Sequence, residues 1–147
     1  MDMAEEQKLM HLLEQHEGCE QFAYKDSLGY YTISIGRCID RRKGKGISKA
    51  ESLYLLKNDI EACKHNLEKM TWYNALDDVR KCVLIELVFN MGMSGVLLFK
   101  KMISALKDKD FARAARELLD SKWATQVGKS RRDNIAYRMR HGDYPGK

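Results

Sequence analysis

The sequence predicts an α+β fold, with a small β-bearing segment set early in an otherwise helical chain. Three observations carry this. Residues 4–16 place Leu9, Leu12, Leu13 and His16 at helical spacing, with charged residues between them. Residues 21–37 then switch to aromatic and β-branched types: Phe22, Tyr24, Tyr30, Tyr31, Thr32, Ile33 and Ile35. From Ser48 onward the pattern returns to helix and stays there.

The first helix meets a stop at Gly18, because glycine tolerates the left-handed backbone that closes a helix. Glu17 is thereby placed at the helix end. Asp26-Ser27-Leu28-Gly29 supplies turn chemistry, so residues 21–37 read as an antiparallel hairpin or a three-stranded meander. Residues 40–46, DRRKGKG, form a charged, glycine-bearing loop. Ser48 and Glu51 have capping-box spacing. The helix they open carries Leu53, Leu56, Ile60, Cys63 and Leu67 on one face, runs about 20 residues and links two lobes. VRKCVLIELVFN, within residues 75–90, is apolar on nearly all sides and predicts a central buried helix. Three shorter helices follow at 96–106, 110–120 and 130–140, punctuated by Gly92, Gly95, Gly128 and Gly142. Pro145 falls in the tail. No repeat or separating linker interrupts the 147 residues, which predict a single domain with an N-terminal lobe at about residues 1–64 and a helical C-terminal lobe at about residues 65–147. A cleft between the lobes is the default binding site.

A chain of this length needs no metal or disulfide staple. No run of about 18 apolar residues predicts a membrane span. The N-terminus, MDMAEEQKLMHLLEQ, is acidic and lacks the basic-then-apolar pattern of a secretory signal, which predicts a cytosolic start. Cys19, Cys38, Cys63 and Cys82 form no C-x-x-C pair and no zinc spacing, and read as reduced thiols acting as small core hydrophobes. The closeness of Cys19 to Glu17 leaves redox control open. His11, His16, His65 and His141 suggest no metal set, and no cofactor is expected. The net charge of +5 is uneven: residues 1–99 hold 13 Lys/Arg against 15 Asp/Glu, and residues 100–147 hold 13 against 6. A basic C-terminal half suits a polyanion, either nucleic acid or an anionic envelope polymer. Lys129-Ser130-Arg131-Arg132 fits that patch equally well as a solvated helix start.

Glu17, Asp26 and Thr32 are the candidates for chemistry. Glycoside hydrolysis needs one carboxyl to protonate the departing oxygen and another, ionised, to hold or activate a water. The negative pole at a helix end disfavours an anion, which suits Glu17 as the proton donor, and Phe22 and Tyr24 nearby can desolvate it. Lys25 beside Asp26 favours a carboxylate there. A threonine hydroxyl on a strand can accept from a water and donate to a carboxylate. By spacing alone, however, three such residues fix no geometry and also fit a polar surface.

The framework around them is more specific. His16-Glu17-Gly18, Tyr24-Lys25-Asp26 and Gly29-Tyr30-Tyr31-Thr32-Ile33, ending at Gly36, resemble the N-terminal lobe of the phage-type lysozymes, the muramidase endolysins. Ala75-Leu76-Asp77-Asp78-Val79-Arg80, Val88-Phe89-Asn90-Met91-Gly92, Ser94-Gly95-Val96 with Phe99, and Ser121-Lys122-Trp123 extend the resemblance across roughly residues 8–142. It implies a lysozyme-like two-lobed fold and hydrolysis of the β-1,4 bond between N-acetylmuramic acid and N-acetylglucosamine in peptidoglycan. It implies Glu17 as general acid, with Asp26 and Thr32 positioning the water. It also implies inversion at the anomeric carbon, with carboxylates about 6.5–9.5 Å apart. Tyr24, Phe89 and Asn90 become substrate-lining candidates, although Tyr24 and Phe89 also fit core packing. A membrane lesion for release from the host cytoplasm to the periplasmic face of the wall is implied as well, and a monomer is expected.

Two positions depart from the family pattern of Gly-x-Gly-His: here Ser34-Ile35-Gly36-Arg37 closes the hairpin. Ser34 adds a side chain, and Arg37 removes the pH dependence that an imidazole would give an ion pair. The loop that follows is short. Glu86, inside the apolar run, reads as paired or at an exposed edge. Other readings remain: a lytic transglycosylase needing one Glu and no activated water, a basic DNA-binding protein with residues 130–140 as recognition helix, or an inactive wall-binding module.

Overall fold

Asp2 opens the first helix by accepting the Glu5 N–H at 2.8 Å, and Gly18 closes it with φ 75°. This α1 spans Met3–Glu17 in a computed structural model that describes residues 1–146. Lys147, the last residue of the expected C-terminal lobe, lies outside the described residues. A three-stranded antiparallel meander follows, with β1 (Glu20–Lys25), β2 (Tyr31–Ser34) and β3 (Arg37–Cys38) side by side in that order. Ser48 and Glu51 then cap α2 (Lys49–Leu67) reciprocally: the Ser48 N–H donates to Glu51 at 2.8 Å, and the Glu51 N–H to Ser48 Oγ at 3.1 Å. The remainder is helical: α3 (Thr71–Asn74), α4 (Asp78–Leu97), α5 (Lys100–Lys107), α6 (Phe111–Leu119), α7 (Lys122–Gln126) and α8 (Lys129–His141). The chain is thus α+β, mostly helical with one small sheet.

It divides into two compact units, Met1–Leu55 and a second from Leu56 onward. The second holds the apolar core, which runs from Leu67 through Leu84, Leu87, Met102, Leu118 and Ile135 to Met139. In the first, the buried side chains among the described residues are Thr32 and Asp40, both polar. The apolar stripe expected of α1 is exposed at Leu9, Leu12 and Leu13, and that of α2 at Leu53 and Leu56, with Leu67 buried at its far end. A sheet of six, four and two residues offers too little area to cover two helices.

Other boundaries shift for local reasons. The expected helix at 96–106 is two pieces, because Val96 and Leu97 finish α4 and Phe99 leaves helical geometry at ψ 61°. Within α4 the helix breaks at Gly92, where φ is 79°. The four cysteines are free thiols, and the core role expected of them holds in part for Cys63 alone, which is half-buried against the core; Cys38 is half-buried, and Cys19 and Cys82 are exposed. Glu86 is paired, with the Arg138 guanidinium, at a half-exposed edge.

One guanidinium ties the second unit together. Arg80 is 9% exposed and donates from Nε to the Met139 carbonyl at 2.7 Å and from Nη2 to the Arg140 carbonyl at 2.8 Å. Its Nη1 meets Asp77 at 2.8 Å, and its plane lies 3.5 Å from the Phe111 ring centroid. It therefore satisfies carbonyls that the end of α8 leaves open while stacking on α6. Lysine cannot serve three acceptors in one plane. The Arg80→Lys variant is expected to lose about 2–3 kcal/mol in urea unfolding, because the buried Met139 carbonyl and the partly buried Arg140 carbonyl lose their donors. A loss below about 0.5 kcal/mol would reduce this contact to surface chemistry.

Candidate active site

The polar junction after α1 is organised by the backbone of Tyr30. Asp26 Oδ1 accepts the Leu28 N–H and the Tyr30 N–H, both at 2.9 Å. The Tyr30 carbonyl in return accepts the Asp26 N–H at 2.9 Å and the Thr32 hydroxyl at 3.1 Å. Asp26 and Thr32 are thus held by the two ends of residue 30. Both backbone bonds to the Asp26 side chain land on Oδ1, and Oδ2 stands outside them. Thr32 is 5% exposed; its proton is committed to the Tyr30 carbonyl instead of the expected carboxylate, which leaves its oxygen able only to accept.

Glu17 is the last residue of α1 and is exposed. The β2–β3 turn comes against it at Gly36: a Cβ there would lie 3.1 Å from Glu17 Oε2 and 3.4 Å from its Cδ. Gly36 also has φ 72°, so both the backbone shape and the close approach call for glycine. The expected desolvation of Glu17 by Phe22 is not found, because Phe22 is 80% exposed. The strand is irregular there: Glu20 pairs with Ser34 and Tyr24 with Thr32, so four steps along β1 face two along β2. Tyr24 is half-buried on β1.

Phe89 and Asn90 belong to the second unit, on α4. Phe89 is 47% exposed and stands outside the core. The Asn90 side-chain carbonyl accepts the Trp123 indole N–H at 3.0 Å, which orients the amide.

Sequence reasoning missed three supports of the site. One is the Tyr30 backbone, signalled by the Asp-x-x-Gly turn. The second is the nearness of Gly36 to Glu17. The third is an ion pair in which Arg37 Nη1 and Nη2 grip Glu51 at 2.9 and 2.7 Å, with a further bond to the Gly46 carbonyl at 3.2 Å. This fork ties β3 to the first turn of α2. A groove of about 960 Å³ beside it, lined by Ile33, Ile35, Ile39, Ile47 and Tyr54, contains none of the three catalytic candidates. No group of three or more His, Cys, Asp or Glu among the described residues is arranged to hold a metal ion. Among the same residues no single helix is long and apolar enough to cross a membrane.

The family model for phage lysozyme matches residues 14–139. The chain belongs to the phage lysozyme family. Two relatives from Dictyostelium discoideum agree. "Probable T4-type lysozyme 1" is 32% identical, over 79% of this chain and 84% of its own length. "Probable T4-type lysozyme 2" is 34% identical, over 82% and 87%. The enzyme is accordingly a glycoside hydrolase of the muramidase type, from a family that acts on peptidoglycan.

Two departures from the family motif now have a physical account. Ser34 sits at φ 62°, in the left-handed region that favours glycine. Relief of its strain, about 1–2 kcal/mol, exceeds glycine's entropic cost of about 0.5–1 kcal/mol. Ser34→Gly is therefore expected to raise stability by about 0.5–1 kcal/mol in chemical denaturation. Arg37, in place of histidine, makes the ion pair respond to acid through its partner alone. Hydrogen bonds from Arg37, then from Ser48, lower the Glu51 carboxyl to about 2. A depressed carboxyl stabilises fully above its unfolded value of about 4.3 and loses that contribution as pH falls toward the folded value. The difference in thermal midpoint between wild type and Arg37→Gln should hold steady from pH 8 to 5 and shrink toward pH 2. A change between pH 8 and 6 would show that another group controls the fork.

Proposed function

We propose that this enzyme hydrolyses the β-1,4 bond between N-acetylmuramic acid and N-acetylglucosamine with inversion. Glu17 gives its proton to the departing glycosidic oxygen as the bond to the anomeric carbon breaks. A water held by Asp26 and Thr32 adds to the opposite face of that carbon, and its proton passes to Asp26. The observation that carries the reading is the Tyr30 backbone, which holds Asp26 by its N–H and Thr32 by its carbonyl. A carboxylate and a hydroxyl acceptor fixed to the backbone of one residue, through its two flanking peptide groups, are what a bound water needs. Tyr24 is the glycan contact proposed for the first unit, and Phe89 and the Asn90 amide are those proposed for the second, with the amide meeting an N-acetyl group. The enzyme works on the host wall during lysis, passing from the host cytoplasm to the periplasm through a membrane lesion, and acts as a monomer.

Glu17→Gln preserves shape and removes the proton. It is expected to cut the release of reducing ends from purified peptidoglycan by at least about 100-fold, with stability unchanged within about 0.5 kcal/mol. Normal release by this variant would remove Glu17 from the mechanism. The wild type should liberate the inverted anomer; a 1,6-anhydro product would instead assign a lytic transglycosylase.

A further inference from the structure

The loop between β3 and α2 carries Arg41, Arg42, Lys43 and Lys45 against the single carboxylate of Asp40. Asp40 is 5% exposed and is spent inside the protein. It accepts the Tyr31 N–H at 3.1 Å, the Arg42 N–H and Nε at 2.9 Å, and Arg42 Nη2 at 2.8 Å. Those bonds, the Arg42 side chain first, hold its carboxyl well below the usual carboxylate range. The same guanidinium donates to the Gly29 carbonyl at 3.0 Å and lies 5.0 Å from the Tyr30 ring centroid. The Asp40 carbonyl accepts the Lys43 and Gly44 N–H groups at 3.1 and 2.6 Å. A Cβ on Gly44 would collide with the Cys38 backbone, so the loop can pack this closely only through glycine. The loop is braced before any ligand arrives.

Asp40 and Arg42 cancel each other, and Lys25, Arg41, Lys43 and Lys45 remain. Among the described residues none of these four pairs with a carboxylate. Two of them flank aromatic rings: Lys43 lies 5.0 Å from the Tyr30 centroid, and Lys25 lies 5.4 Å from that of Tyr31. Tyr31 is 49% exposed. A recess of about 640 Å³ opens here, lined in part by Lys25, Tyr31, Arg41 and Arg42. Unspent cations around a half-exposed ring suit a ligand that presents a sugar face together with several carboxylates.

Resting on the hydrolase reading above, we propose that this recess is an ancillary site for carboxylate-bearing peptidoglycan. A pyranose face lies on Tyr31 and stem-peptide carboxylates meet Lys25 and Arg41 in the recess, while Lys43, beside the Tyr30 ring, and Lys45, further along the loop, add to the local positive charge. The site performs no chemistry; it retains the enzyme on the wall between cuts. Tyr30 links it to the catalytic candidates, with its backbone N–H and carbonyl holding Asp26 and Thr32 and its ring facing the loop cations.

The test is co-sedimentation with purified peptidoglycan stripped of attached polymers, read in the cold over minutes. The Glu17→Gln protein is compared with the same protein carrying Arg41→Gln, Lys43→Gln and Lys45→Gln. A control carries Lys129→Gln, Arg131→Gln and Arg132→Gln instead. The loop variant is expected to bind about tenfold more weakly, the control to lose less, and Glu17→Gln to fall to the loop variant's level on walls whose carboxylates are amidated. Undiminished binding by the loop variant overturns the proposal. So does an equal loss in the control, which would reduce the effect to net charge, and so does full affinity for amidated walls. Should the triple loop variant show altered circular dichroism, Arg41→Gln alone serves, with about a threefold loss expected. Wall binding that depends on the loop, without any release of reducing ends by wild type, would refute the hydrolase reading and leave this site standing.

Discussion

The Arg80 guanidinium is the contact on which the helical unit turns. It joins the start of α4 to the last carbonyls of α8 and rests on the first ring of α6, so three helices share one planar group. A buried cation of this kind contributes little net energy when satisfied, yet leaves costly orphans when removed. Its role is to fix which helix ends meet, while the apolar core from Leu67 to Met139 supplies the bulk of the stabilisation. The N-terminal unit works differently. With Thr32 and Asp40 as its buried side chains, it is held in shape by charged forks: Arg37 on Glu51, and Arg42 on Asp40. Planar arginines are suited to that task because each fork fixes direction as well as distance.

Much of the fold was legible because local rules agreed with the final structure. Gly18, the Ser48–Glu51 box and the aromatic segment at 21–37 each marked an element that formed close to the expected residues. Burial was less legible. Periodicity assigned a face to Leu9, Leu12, Leu53 and Leu56, but it cannot say whether a partner surface is large enough to cover that face. The cysteines misled for a similar reason: apolar character permits burial without requiring it. The short helices α3 and α7 have four and five residues, too few for a periodic signal.

The catalytic candidates were legible through a motif, and the physics of spacing alone would not have singled them out. Their supports are mostly backbone. The Tyr30 backbone acts through N–H and C=O groups that every residue but proline possesses, so no side-chain pattern announces it. Gly36 acts by what it lacks. Arg37 and Glu51 lie 14 residues apart, beyond any local rule, and meet only once β3 and α2 have formed. The Asp40 brace left a fainter trace. A lone acid within a basic run is easily read as solvated, although here it is the most enclosed carboxylate of its unit.

The bond between Trp123 and Asn90 gives the second unit a built-in optical reporter. Trp123 is 5% exposed, and its indole N–H is committed to the Asn90 side-chain carbonyl at 3.0 Å. Indole emission responds to hydrogen bonding and local polarity. A glycan that recruits the Asn90 amide must either keep that bond or compete for it. Any change at the Asn90 amide, just before the Gly92 break in α4, therefore reaches the fluorescence of a neighbouring buried ring, without any attached dye.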